Sequence, residues 1–230
     1  MKSVKAAKGG KNIQKIHRDL VGRLTASAPG PRFTLRPAAQ WLVWLCLSLA
    51  VMAVFLLKIG FQANAAQVFQ QAPPLVFLAV IFTGASLAAW EAIASSVPGR
   101  QTGKAYRVLS ILVLAALWAL PFFLFTSPGG SWDLIQAFKD GNECAGKVSL
   151  SGLLPWLALG RMLSRNASFH PVWTGVWAGA SSFLMGVLMV QIHCPGWQWD
   201  HMMAAHLIPA ALMTLLATVV GAFWFSRWKK

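Results

Sequence analysis

Negative charge is almost missing from this chain. Six Asp and Glu stand against 20 Lys and Arg, and charged residues of all kinds make up 11% of the 230 positions. A soluble domain carries about 25% charged residues, so a soluble fold is excluded. Cysteine is nearly as rare: Cys46, Cys144 and Cys194 cannot build a disulfide framework, though one pair is possible. Tyrosine occurs once, against 12 Trp and 14 Phe. Several kinds of chemistry are also missing. There is no Ser/His/Asp set, no phosphate-cradling glycine loop and no paired carboxylates, so the sequence gives no enzyme class and no cofactor. The net charge of +14 could suggest nucleic acid. Most of the basic residues, however, stand at the ends of apolar segments, as orientation signals do, and no direct nucleic-acid contact is expected.

What is present is long apolar sequence: 57% of the residues are hydrophobic. Six segments follow one another, at about 39–60, 74–96, 106–126, 148–163, 172–192 and 203–225. A spanning helix needs roughly 20 apolar residues. Five segments meet this, while the fourth is short, contains Pro155 and has Lys147 as a flank able to snorkel. The expected fold is all-α, a polytopic membrane protein with a six-helix transmembrane domain over residues 39–228. The first segment is too long, and begins too late, for a cleaved signal peptide.

Residues 1–38 form the one sizeable polar segment. Within it Ile13, Ile16, Leu20 and Leu24 recur at steps of three and four, the stripe of a short amphipathic helix over about 12–26. Such a helix can lie on anionic lipid or dock its apolar stripe into a cytoplasmic partner.

Orientation follows from the loops. With six spans, one side collects 17 Lys and Arg, and the other holds Lys58, Lys139 and Lys147 with Asp133, Asp140, Glu143 and Asp200. The basic side is cytoplasmic, so both termini are expected inside. Tryptophans gather at both faces, as in an interfacial belt.

This topology puts Cys144 and Cys194 in separate loops on the same outer side, which in a bacterium is the oxidising periplasm. They can form a structural bridge, or remain free thiols that sense oxidants or thiophilic metals. Histidines crowd the same region. Cys194 with His193, His201 and His206, and with Met185 and Met189 a turn apart, makes a soft-ligand set suited to copper(I) or zinc. The spacing matches no closed zinc motif, so the disulfide and free-thiol readings rank ahead of a metal. Glu91 is the one acidic residue within a span, and is expected to snorkel or to pair with Arg100 or Arg107.

Several of these features together resemble the NrsF-like family, membrane-bound negative regulators of extracytoplasmic-function sigma factors of the sigma-F type. They are the short N-terminal helix, the Arg32–Pro37 lead-in, six spans, Ser96-Val97-Pro98-Gly99-Arg100 after the second, Cys144 before the fourth, His193-Cys194-Pro195 after the fifth, and the Arg227-Trp228 ending. The chain departs from the pattern where Lys2, Lys5, Lys8 and Lys11 precede the helix. The resemblance implies a six-helix protein of the bacterial inner membrane, an anti-sigma factor and not an enzyme. Its N-terminal segment would hold a sigma factor at the membrane, Cys144 and Cys194 would take part in sensing oxidative or heavy-metal stress, and the sigma factor would then be released. The competing expectation is a membrane thiol oxidoreductase or small soft-metal transporter built on Cys144, Cys194, His193 and His206. An oxidoreductase would show a Cys-x-x-Cys pair or a second cysteine couple, and a transporter would show broken helices or polar residues at mid-membrane.

Overall fold

The computed structural model describes residues 36–97, 103–125, 134–166, 168 and 170–226. The N-terminal stripe of Ile13, Ile16, Leu20 and Leu24 lies outside them, as do Arg100 and the Arg227-Trp228 ending. The described residues form six long helices and two short ones, with no strand among them. In chain order they are α1 (Pro37–Ile59), α2 (Ala65–Val68), α3 (Ala72–Ser96), α4 (Lys104–Phe125), α5 (Leu134–Asp140), α6 (Asn142–Leu163), α7 (Pro171–His193) and α8 (Trp199–Phe225).

Prolines open α1, α3 and α7 in their first turn, where a missing N–H costs nothing and the fixed φ already suits a helix. Gly60 ends α1 with φ +83, a left-handed conformation that favours glycine.

Five helices, α1, α3, α4, α7 and α8, are long and apolar enough to cross a membrane. The chain is a membrane protein. Its outward-facing side chains fit that setting: Leu57 is 84% exposed, Phe123 76% and Phe223 74%, surface that lipid tails cover at no cost. The fourth apolar segment belongs to α6, which starts at Asn142 rather than near Val148. Its 22 residues make a rod of about 33 Å, so length is not what separates it from the other five. Composition is: Asn142, Glu143, Lys147, Ser149 and Ser151 stand in its first half.

α7 is the axis of the bundle. Of its apolar stretch 83% is buried, against 17% for α1 and for α4. A helix that is apolar all round is stable only when its neighbours cover it on every side, and α3, α6 and α8 do so here. Small residues let them come close. A Cβ on Gly175 would lie 3.1 Å from the Thr218 carbonyl oxygen on α8. One on Gly186 would lie 2.6 Å from the Val148 carbonyl oxygen on α6. Such backbone proximity is how helices gain dispersion contacts where lipid supplies no hydrophobic drive. Met185 and Met189 are fully buried in this core, as packing side chains.

At the α7 N-terminal end a polar knot closes the bundle. Asn166 donates through Nδ2 to Ser96 Oγ at 2.8 Å and to Gln40 Oε1 at 3.3 Å. Thr174 Oγ1 shares hydrogen bonds with Ser168 Oγ (2.9 Å) and Ser95 Oγ (3.0 Å). The starts of α1 and α7, the end of α3 and the α6–α7 connection are thereby joined. Glu91, about one and a half turns from this end of α3, is 1% exposed. It is drawn into the bundle rather than snorkelling to the surface.

Candidate functional site

The opposite end of α7 carries the chemistry. Cys144 stands in the first turn of α6, and Cys194 follows the last residue of α7, its N–H still bonded to the Val190 carbonyl at 2.7 Å. Fifty residues apart in sequence, the two Sγ atoms are 3.5 Å apart and share a hydrogen bond. Both thiols are free. Cys194 is 3% exposed, while Cys144 is half-buried.

Two histidines of α8 complete the group. Cys194 Sγ lies 3.2 Å from His201 Nε2, and the rings of His201 and His206 are 5.2 Å apart, edge to face. One ligand atom from each of Cys144, Cys194, His201 and His206 can be chosen so that all four lie within 4.8 Å of one another. This convergence depends on a local irregularity. In an α-helix a residue five positions on lies about 140° round the axis, which would point the two rings apart. Residues Met202–Leu207 form a π-helical turn instead. Its i→i+5 bonding brings the fifth residue back over the first. Pro209 follows directly: it has no N–H for the Ala205 carbonyl, and its ring crowds that carbonyl, which favours opening the turn before it.

Two glycines let the chain close over His201. A Cβ on Gly196 would sit 2.6 Å from the ring's Cδ2 and one on Gly141 would sit 3.2 Å from its Cε1, besides colliding with Ala205. His206 is 1% exposed. Its Nδ1 pairs with Gln191 Oε1 at 2.6 Å, while its Nε2 is buried with no hydrogen-bond partner. Because an amide oxygen only accepts, Nδ1 carries the proton, and Nε2 presents a bare lone pair.

The two thiols differ in acidity. The hydrogen bond shared with Cys194 is the main cause that holds the Cys144 thiol below its ordinary range. Sharing the proton with Cys144, together with burial, pushes the Cys194 thiol up. Of the two, the Cys144 thiol is the readier to ionise and the more exposed.

His193 takes no part in this group. Its Nδ1 lies 3.0 Å from the Gly60 carbonyl oxygen, and its Nε2 lies 3.3 Å from Lys147 Nζ. Lys147 also pairs with Glu143 at 2.6 Å. His193 thus latches the end of α7 to the end of α1. Of the soft-ligand residues named from the sequence, Cys194, His201 and His206 come together, Cys144 joins them, and His193 turns away. Gln191, Gly141 and Gly196 were not marked as site residues by spacing. A glycine two residues after Cys194 and a glutamine three residues before it, at a helix end, were the available signals.

A family model described as negative regulator of sigma F matches residues 24–228. No curated protein and no solved structure matches the chain.

Proposed function

The chain belongs to the NrsF family of negative regulators of sigma F, and from that premise we propose that it is an anti-sigma factor of the bacterial inner membrane. Its family is named for regulation, not for catalysis, and a sigma factor is its partner. In this reading α6 is the sixth span. Six spans leave both termini on the cytoplasmic side with 17 of the 20 basic residues. The N-terminal segment, through Ile13, Ile16, Leu20 and Leu24, holds an extracytoplasmic-function sigma factor away from the transcription machinery. Cys144 and Cys194, in the periplasm, form the sensor.

The observation that carries the sensor reading is the approach of two free sulfurs to 3.5 Å from separate elements at the end of the bundle opposite the polar knot. A periplasmic oxidant of the peroxide class would take two electrons from the pair. The Cys144 thiolate attacks the peroxide oxygen, the resulting sulfenic acid condenses with the Cys194 thiol, and the peroxide oxygens leave as water. Closing the sulfurs to the roughly 2.05 Å of a disulfide draws α6 and the end of α7 together. α7 connects Cys194, at its end, to Thr174 in the polar knot, and that separation of 20 positions spans about 30 Å. A change at one end is then imposed on a rigid rod whose other end holds α1, α3 and the α6–α7 connection. Release of the sigma factor requires only that the oxidised state bind it less well than the reduced state.

Co-purification tests the docking half. The full chain is expected to retain a sigma factor from detergent-solubilised membranes, and a chain lacking residues 1–38 is expected to lose it. Equal capture by both, or by neither, would remove the N-terminal segment from that role.

A further inference from the structure

We propose that Cys144, Cys194, His201 and His206 form a binding site for a divalent zinc-class ion, four-coordinate and closed by protein ligands. The proposal concerns the same two sulfurs as the sensor but stands on their geometry and needs no sigma factor.

Three observations carry it. The first is spacing. Tetrahedral zinc with two sulfur and two nitrogen ligands sets neighbouring donors about 3.3–3.8 Å apart. The sulfur–sulfur distance is 3.5 Å, the Cys194–His201 distance is 3.2 Å, and no pair in the group exceeds 4.8 Å. The ligands need only small rotations to reach coordination distance. The second is His206. A buried imidazole whose Nε2 has no partner is costly, and the cost vanishes if that lone pair holds a cation. The Gln191 bond to Nδ1 fixes the tautomer that leaves Nε2 free, as the outer partner of a metal-ligating histidine does. The third is the π-helical turn, which spends regular helix geometry to bring His201 and His206 onto one side.

The donor set selects the ion. Two thiolates and two neutral imidazoles suit zinc-class cations and not the hard, oxygen-seeking ones. A divalent ion with two thiolates is neutral overall, whereas copper(I) would leave a net negative charge beside Cys194 and His206, both buried. Cys144 and His201, each partly exposed, form the side from which the ion enters. Because the ion and the disulfide need the same sulfurs, occupancy shields the pair from oxidation.

Cobalt(II) is the probe, added to the purified full chain in detergent under reducing conditions. The expected result is one equivalent bound, with the visible bands of tetrahedral cobalt and thiolate charge transfer, both displaced by zinc. Gln191→Leu should weaken cobalt binding by about 10–100-fold, while His193→Ala should keep the spectrum. Cys194→Ser should abolish thiolate charge transfer for that ligand. His201→Ala, at the exposed rim, gives a second ligand variant if the buried one fails to fold, and should shift the visible bands and weaken cobalt binding as water takes the vacated position. An octahedral spectrum, no binding, or an unchanged spectrum in His201→Ala would overturn the proposal. Sigma capture measured on the same preparations reports separately on the anti-sigma reading.

Discussion

Alanine at Gly186 would place a Cβ 2.6 Å from the Val148 carbonyl oxygen, 3.0 Å from the Gly152 nitrogen and 3.1 Å from Ser151 Oγ. Two of these neighbours are α6 backbone, so the obstruction cannot be relieved by rotating a side chain. Restoring ordinary contact distances requires α6 to retreat by roughly 0.5–1 Å, at a cost of about 1–3 kcal/mol for overpacking. Cys144 sits one turn before Val148 on α6 and moves with it. Its sulfur, now 3.5 Å from that of Cys194, then has farther to travel to bonding distance. At roughly tenfold per 1.4 kcal/mol, a cost of that size makes disulfide formation in Gly186→Ala about 5–150-fold slower than in the unsubstituted chain. The assay is addition of a mild oxidant to the detergent-solubilised protein in a Cys46→Ser background, followed over time by mass-tagging of the remaining thiols. Gly146→Ala is the matched control. It lies on the same helix, its Cβ meets nothing within 4 Å, and a helix-interior Gly→Ala change is worth up to about 1 kcal/mol in its favour. Oxidation of Gly186→Ala at the unsubstituted rate, with unchanged thermal stability, would refute the claim that α6–α7 packing sets the sulfur spacing.

Asn166→Ala removes the bonds to Ser96 and Gln40. It should cost about 1–3 kcal/mol, read as a lower melting temperature, and should raise sigma-dependent transcription without added oxidant. Under reducing conditions, and without added metal, a membrane-impermeant thiol reagent applied from outside should label Cys144 well before Cys194, which is 3% exposed; equal rates would show that the loops do not shield Cys194. Zinc at 100 times its dissociation constant should stabilise the reduced protein by about 2.7 kcal/mol, an effect that a chelator removes and that Cys144→Ser, Cys194→Ser lacks.

The apolar helices were legible because lipid exposure and burial inside the bundle both demand apolar side chains: α1, α3, α4, α7 and α8 lie on the five long apolar runs. The start of α6 was not legible by that signal. Asn142–Lys147 are polar or small, so hydropathy sees a loop where the backbone is helical. Charge asymmetry was enough to suggest that Cys144 and Cys194 share a side, but no linear pattern measures the distance between them, and hydropathy marked Cys144 as a loop residue where it stands in the first turn of α6. His201 and His206 were visible as residues and hidden as a pair. A spacing of five reads as two different faces of an α-helix, and only the π-helical turn before Pro209 aligns them. His193 misleads for the converse reason: adjacency to Cys194 suggests a shared site, whereas the last turn of α7 aims its ring at Gly60. Gln191 reads as an ordinary polar residue at a helix end, and its role depends on His206 fifteen residues away.

The fraction of sigma factor retained on membranes carrying the chain, measured before and after oxidation of its thiols, tests most directly whether the cysteine pair controls the partner. Retention should fall on oxidation of the unsubstituted chain, recover on reduction, and stay constant in Cys144→Ser, Cys194→Ser. An equal fall in both proteins, or undiminished retention once the Cys144–Cys194 disulfide has formed, would contradict the account.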